Sequence, residues 1–183
     1  MPDETLEQLS RQLSPARDLD NPPLHLWQPA LSGDIDIVIH RDGSWHHEGA
    51  VIERASLVRL FASILRREAD GDYYLVTPVE KWRIRVEDLP LQIVDFDIEN
   101  PASAEQTFVV STNTGRRYVI GEKYPLYMPA ASGEFEVIPA VSLDHGLAAS
   151  FSRAAWYRLA EACQEREGQA GISSEGLFFP IAA

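Results

Sequence analysis

The sequence predicts an α+β protein made of two related strand–hairpin–helix units, the second a curved antiparallel sheet or partial barrel capped by a C-terminal helix. Three observations carry this. Gly33-Asp34-Ile35-Asp36-Ile37-Val38 returns as Gly133-Glu134-Phe135-Glu136-Val137-Ile138, at an offset of about one hundred residues. Downstream of each copy an arginine-led helical run recurs, Arg54 to Leu60 and Arg153 to Leu159, and His46 and His145 precede the two runs at matching distances. Between them lie several short runs of β-branched and aromatic residues separated by turn residues. The expected organisation is an N-terminal helix and linker over 1–30, a first α+β unit over 31–90, and a second over 91–183.

Leu6, Leu9 and Leu13 have helical spacing, with Thr5 as N-cap and Pro15 as terminator. Asn21-Pro22-Pro23 is a stiff connector. Asp34 to His40 reads as a strand, Arg41-Asp42-Gly43-Ser44 as a hairpin turn, and Trp45 to Glu48 as the return. The simplest register sets His40 opposite Trp45, Ile39 opposite His46 and Ile37 opposite Glu48. Glu48 then lies on the side of Ile37 and Ile39, where a carboxylate needs a partner; Arg54 or a ligand donor would serve.

From Glu53 to Glu68 the apolar stripe Leu57, Leu60, Phe61, Ile64 and Leu65 predicts a helix, stopped by Asp70-Gly71. Tyr73 to Thr77 and Lys81 to Val86 are strands separated by Pro78. Leu91 to Ile98, Thr107 to Thr112, Arg116 to Ile120 and Glu134 to Pro139 are the strands of the second unit, with Asn113-Thr114-Gly115 as a tight turn. Ser152 to Glu167 is its closing helix, ended by Gly168. The tail Leu177-Phe178-Phe179-Pro180 is apolar enough to dock.

The chain of 183 residues carries a formal net charge of −12 with ordinary apolar (45%) and charged (24%) shares. That charge excludes a general nucleic-acid surface, which needs a broad basic face, but leaves room for a small anionic ligand. One cysteine, Cys163, allows no internal disulfide and no thiolate metal cluster. With an acidic, polar start and no apolar run of membrane length, the expectation is a cytoplasmic protein without a membrane span.

Lys81, Arg83 and Arg85 alternate along one strand and so share a face. In an acidic chain they form either an anion site or a solvated face paired with carboxylates of a neighbouring strand. Tyr73 to Lys81 gathers aromatic, hydroxyl, carboxylate and ammonium groups in one hairpin. His46 and His47 point to opposite faces of their strand, so no metal site is expected. Cys163, placed on the helical face of Trp156 and Leu159, reads as core rather than nucleophile. No nucleophile elbow, Walker loop or zinc-protease motif is present, so no catalytic residue and no cofactor is expected, and an enzyme is less favoured than a binding module.

Asp42 to Gly49, Asp70 to Lys81 (most specifically Tyr-Leu-Val-Thr-Pro-Val-Glu-Lys) and Val86 to Pro90 together resemble the bacterial domain-of-unknown-function family numbered 1285, over about Leu31 to Cys163. The resemblance implies a duplicated α/β core, a second unit loosely similar to pleckstrin-homology domains, a nucleotide-based ligand at the interface between units and a role in signal transduction. The tyrosine-rich hairpin, the cationic stripe and this resemblance together make the expected ligand residues Trp45 and Tyr74 for stacking, Lys81 with Arg83 or Arg54 for phosphate, and Glu48, Thr77, Glu80 and Asn113 for polar selectivity. The expected partners are a nucleotide-like small molecule and a signalling protein. A protein-interaction module without a small ligand is the alternative, with self-association through the tail and N-terminal helix. An enzyme acting on a phosphorylated small molecule is the least favoured.

Overall fold

The computed structural model describes residues 7–8, 11, 21–130 and 137–181. Glu7, Gln8 and Arg11 are helical; the rest of the N-terminal helix expected over Thr5 to Leu13 lies outside the described residues, as does the second repeat copy from Gly133 to Glu136. The fold is α+β with duplicated units, and its sheets include a curled half-barrel. The chain divides into two compact units, one of Met1–Pro90 with His145–Leu147, the other of Leu91–Asp144 with Ala148–Ala183.

The first unit begins with a 3-10 turn, Leu24–Leu26, whose Leu24 is buried. Three strands follow: β1 (Leu31–Ile39), β2 (Trp45–His47) and β3 (Ala50–Val51). Helix α1 (Ala55–Ser63) leads into β4 (Leu65–Arg67), β5 (Tyr73–Val76) and β6 (Lys81–Val86). The sheet order is β3-β2-β1-β6-β5-β4, with β1 and β6 parallel and every other pair antiparallel. Ile37, Ile39, Leu65, Leu75 and Ile84 supply its buried aliphatic face, and Phe61 of α1 stacks against Trp45 at 6.4 Å. Burying side chains of this size stabilises by about 1.5–3 kcal/mol each.

Two expectations about this unit need correction. The register of the first hairpin is Ile37 with His47, Val38 with His46 and Ile39 with Trp45. The loop is one residue longer than the simplest reading: His40 N–H donates to Ser44 O, Gly43 N–H donates to His40 O, and Gly43 takes φ 82°. This is a three-residue hairpin loop with its glycine in the left-handed position. The shift carries Glu48 out of the strand. Glu48 (φ 49°) and Gly49 (φ 79°) form the two-residue turn between β2 and β3, and Glu48 is exposed. The helix expected to run to Glu68 ends at Ser63, because Ile64 and Leu65, although buried, belong to the approach to β4, where Leu65 pairs with Leu75. Short apolar runs serve helix and strand alike, and here the edge of β5 decides.

The second unit contains β7 (Leu91–Glu99), β8 (Thr107–Thr112), β9 (Arg117–Val119), β10 (Leu126–Tyr127), β11 (Ala140–Ser142) and β12 (Ala148–Phe151). Helix α2 (Arg153–Glu161) and strands β13 (Gln164–Arg166), β14 (Gln169–Ser174) and β15 (Leu177–Pro180) follow. The six-stranded order is β10-β11-β12-β7-β8-β9, with β12 and β7 parallel. This repeats the first sheet strand for strand: the first strand is central, the second and third pair outward from it, and the sixth lies parallel beside it. The helix does not repeat, since α1 follows the third strand and α2 follows the sixth.

Ser152 caps α2, its Oγ accepting from Ala155 N–H at 3.3 Å, and Ala155 and Leu159 face the core. The helix is shorter than expected, because Gln164 onward forms a three-stranded antiparallel sheet, β13-β14-β15. Gly168, with Glu167, turns that sheet's first hairpin rather than ending a helix, and both take positive φ. The apolar tail is its last strand, with Phe179 buried. Val137 to Pro139 are not in a strand.

Candidate functional site

The polar face of the first sheet is organised by the alternation along β6. Lys81, Arg83 and Arg85 project to one side, opposite buried Ile84. Register places Arg83 beside Tyr74 of β5 and beside Asp34 of β1. The stripe is therefore met by the acidic positions of β1 and of the β4–β5 turn, as a paired outer face would be.

Lys81 Nζ donates to Glu68 Oε2 at 2.9 Å and lies 4.8 Å from the centroid of the Tyr74 ring. Arg66, almost wholly buried, donates Nη2 to Glu68 Oε1 at 2.5 Å and Nη1 to the carbonyls of Leu24 and Trp27, both at 2.9 Å. Burial raises the Glu68 carboxyl, but the hydrogen bonds from Lys81 and Arg66 outweigh it and hold the group below its ordinary value. Tyr74 O–H donates to Asp70 Oδ2 at 2.7 Å. That bond holds the Asp70 carboxyl down and, with burial, pushes the Tyr74 phenol up to about 12. Arg85 Nη2 donates to Asp36 Oδ1 at 2.7 Å.

Arg83 differs from its neighbours. Its Nε is 3.2 Å from Asp34 Oδ1, its Nη1 is 3.5 Å from Asp72 Oδ2, and its guanidinium carbon is 6.0 Å from the Tyr74 ring centroid. Its side chain donates no hydrogen bond among the described residues, and Nε is buried without an acceptor.

The other expected ligand residues fall in different surroundings. Thr77 is fully buried in the β5–β6 turn, where its Oγ1 accepts from Glu80 N–H at 3.0 Å and its N–H donates to Glu80 O at 2.8 Å. Glu80 Oε2 accepts from Trp82 Nε1 at 3.4 Å. Trp45 is 2% exposed and packs on Phe61, so it presents no stacking surface, and its Nε1 has no acceptor among the described residues. Glu48 stands in the β2–β3 turn, and exposed Arg54 occupies the N-cap position of α1 without a side-chain cap bond. No ion pair joins Glu48 to Arg54 among the described residues. Asn113 belongs to the second unit and holds its own turn: its Oδ1 accepts from Gln92 N–H at 3.1 Å, and its N–H donates to Gln92 O at 2.8 Å.

The sequence reading missed Glu68, Asp70 and Arg66, which organise the cluster. Their signal was the Asp-Gly turn, which folds residues 66–70 back along β5. A second polar group escaped notice as well. His40 Nδ1 lies 2.8 Å from Glu87 Oε1, the His40 and His46 rings meet edge to face at 4.4 Å, and Ser44 Oγ lies 3.1 Å from His46 Nε2. Ser44 O–H donates to Asp42 Oδ1 at 2.6 Å. Among the described residues no group of three or more histidine, cysteine or acidic side chains has the geometry to hold a metal ion. No described helix is long and apolar enough to cross a membrane. Cys163 lies just past α2 rather than on it; its Sγ donates to Leu159 O at 3.1 Å, and burial pushes its thiol up, which does not suit a nucleophile.

Comparison with known proteins agrees with the two-unit organisation. Residues 22–89 match the family model described as "Domain of unknown function (DUF1285), N-terminal domain", and residues 90–181 match "Protein of unknown function (DUF1285), C-terminal domain". The crystal structure of a DUF1285 family protein from Silicibacter pomeroyi is similar at 42% identity and a TM-score of 0.81, covering 87% of this chain and 86% of that one. A DUF1285 family protein from Shewanella baltica is similar at 33% identity and a TM-score of 0.54, covering 68% of this chain and 90% of that one. A comparison with curated proteins finds no match. The chain belongs to the DUF1285 family.

Proposed function

We propose that the chain is a cytoplasmic, non-catalytic ligand-binding module that takes a nucleotide-like anion and relays its bound state to a signalling partner. The anion contact is assigned to Arg83, beside Tyr74 and Lys81. The observation that carries this reading is the state of the Arg83 side chain: two carboxylate contacts, at 3.2 and 3.5 Å, and an aromatic ring hold it in place, yet it donates no hydrogen bond among the described residues. A guanidinium held by ion pairs alone, with no hydrogen bond of good geometry, can exchange one of those carboxylates for an incoming oxyanion. Trp45, Glu48, Arg54, Thr77, Glu80 and Asn113 stand as further contacts to be tested one by one, with the burial of Trp45 and Thr77 weighing against direct contact.

The test is a thermal-shift screen against linear and cyclic nucleotides, with and without divalent metal. A ligand at about 100 times its dissociation constant stabilises the native state by about 2.7 kcal/mol. A shift that disappears in Arg83→Gln supports the reading; a shift retained at full size in that variant removes Arg83 from the site. This variant is cleaner than Lys81→Ala, which would also break the Glu68 network.

A protein-interaction module is the second reading; Leu26 and Val79 of the first unit, each 69% exposed, are apolar side chains that would serve it. A Leu26→Ser, Val79→Ser double variant would then change the oligomeric state measured by light scattering. Deleting the tail is not a usable test, because β15 is an integral strand.

A further inference from the structure

We infer that the ligand of the Arg83 site carries a single, singly charged acid group, a phosphodiester or a carboxylate, and not a polyphosphate chain. This rests on the anion-site reading above and narrows it.

Four cations lie together in the first sheet, and three of them are hydrogen-bonded to a carboxylate. Arg66 gives its donors to Leu24 O, Trp27 O and Glu68. Lys81 donates one hydrogen bond to Glu68, and Arg85 donates one to Asp36, so each of the two charges is answered by a carboxylate. Arg83 is the one cation of these four whose side chain donates no hydrogen bond among the described residues. One planar guanidinium fork pairs with two oxygens of one acid group.

The surroundings set the charge. Asp34 and Asp72 already lie at 3.2 and 3.5 Å from this guanidinium. A monoanion that displaces the looser carboxylate, Asp72, into water exchanges one negative charge for another. A triphosphate brings further charges towards Asp34 and Asp70, while the other cations of this face are already paired with carboxylates, Lys81 and Arg66 with Glu68 and Arg85 with Asp36. Polyphosphate sites answer that charge with several cations or a metal ion.

The test is an NMR titration of the isotope-labelled full chain, reading the Arg83 Nε–Hε resonance, assigned by its loss in Arg83→Lys. The probes are cyclic AMP as phosphodiester, benzoate as carboxylate, and ATP, all without magnesium and at constant ionic strength. The expected result is that one monoanion binds at least about tenfold more tightly than ATP; which one it is tells phosphodiester from carboxylate. ATP binding within that factor of the better monoanion, or more tightly, overturns the inference while leaving an anion site in place. If none of the three moves the resonance, the anion-site reading itself fails, and this inference with it.

Discussion

Glu68 and Lys81 meet at 2.9 Å, and the same carboxylate holds Arg66 through its other oxygen. One acid thus neutralises a half-buried ammonium and a buried guanidinium. Replacing Glu68 with Ala would leave Arg66 short of an acceptor in a place water hardly reaches, at a cost of about 2 kcal/mol. Chemical denaturation of the wild type and Glu68→Ala measures it. A difference below about 0.5 kcal/mol would mean that the two cations find other partners.

The same carboxylate predicts an acid limb. Its native value is held below the ordinary 4.5, so its contribution is fully present above that value and is lost as pH falls through the lower native one. Stability followed from pH 6 down through about 4 should fall more steeply in the wild type than in Glu68→Gln. Parallel profiles would show that the network contributes nothing pH-dependent.

Tyr74 predicts the opposite limb. Its phenol rises from 10.0 to about 12 because its hydrogen bond to Asp70 requires the proton. The native state therefore holds a proton that the unfolded chain releases, and stability is present below pH 10.0 and lost as pH climbs towards about 12. Tyr74→Phe should be flat where the wild type declines. Absorbance titration of the phenolate, compared between the two proteins, checks the assignment directly.

Trp45 is a core residue before it is a ligand residue. It is 2% exposed and stacks on Phe61, so Trp45→Ala should destabilise by about 3–5 kcal/mol. Loss of ligand binding in that variant would carry no information about contact. Trp45→Phe keeps most of the packing and also removes an Nε1 that has no acceptor among the described residues. It should be far milder than the alanine variant in thermal melts.

The extent to which the sequence was readable follows from what each residue depends on. Strands β1, β5 and β6 and the β8–β9 turn were visible because alternation and Asn-Thr-Gly chemistry are local. The ends of α1 and α2 were not, because Leu65 and Gln164 become strand only when the next strand folds back on them, at Leu75 and Gly171, and a short apolar or polar run at the end of a helix does not show that return. The duplication was legible, but its alignment was not. The similarity of Gly33–Val38 to Gly133–Ile138 and of the two helical runs suggests a shift of about one hundred residues. The sheets match strand for strand, β1 with β7, starting at Leu31 and Leu91, whereas the helices occupy different places in the order. The stripe on β6 was seen; that its charges are mostly answered by Asp36 and Glu68 needed the neighbouring elements in place.

Glu48 shows how a single loop residue redirects a functional assignment. Read one residue out of register, it is an inward carboxylate in need of a partner; in its actual position it is the first residue of a two-residue turn, at φ 49° with Gly49 at φ 79°. Positive φ at both central residues is the condition of the tight hairpin turn in which Asn-Gly is preferred. A glutamate there bears a left-handed backbone cost that asparagine lowers by bonding locally. Glu48→Asn should therefore stabilise the chain, by about 0.5 kcal/mol, as thermal melts would show. Gly49→Ala should destabilise it although no atom lies within 4 Å of the added Cβ, because the backbone conformation alone is the obstacle. If Glu48→Asn instead lowers stability, the carboxylate has a partner that the turn geometry does not explain.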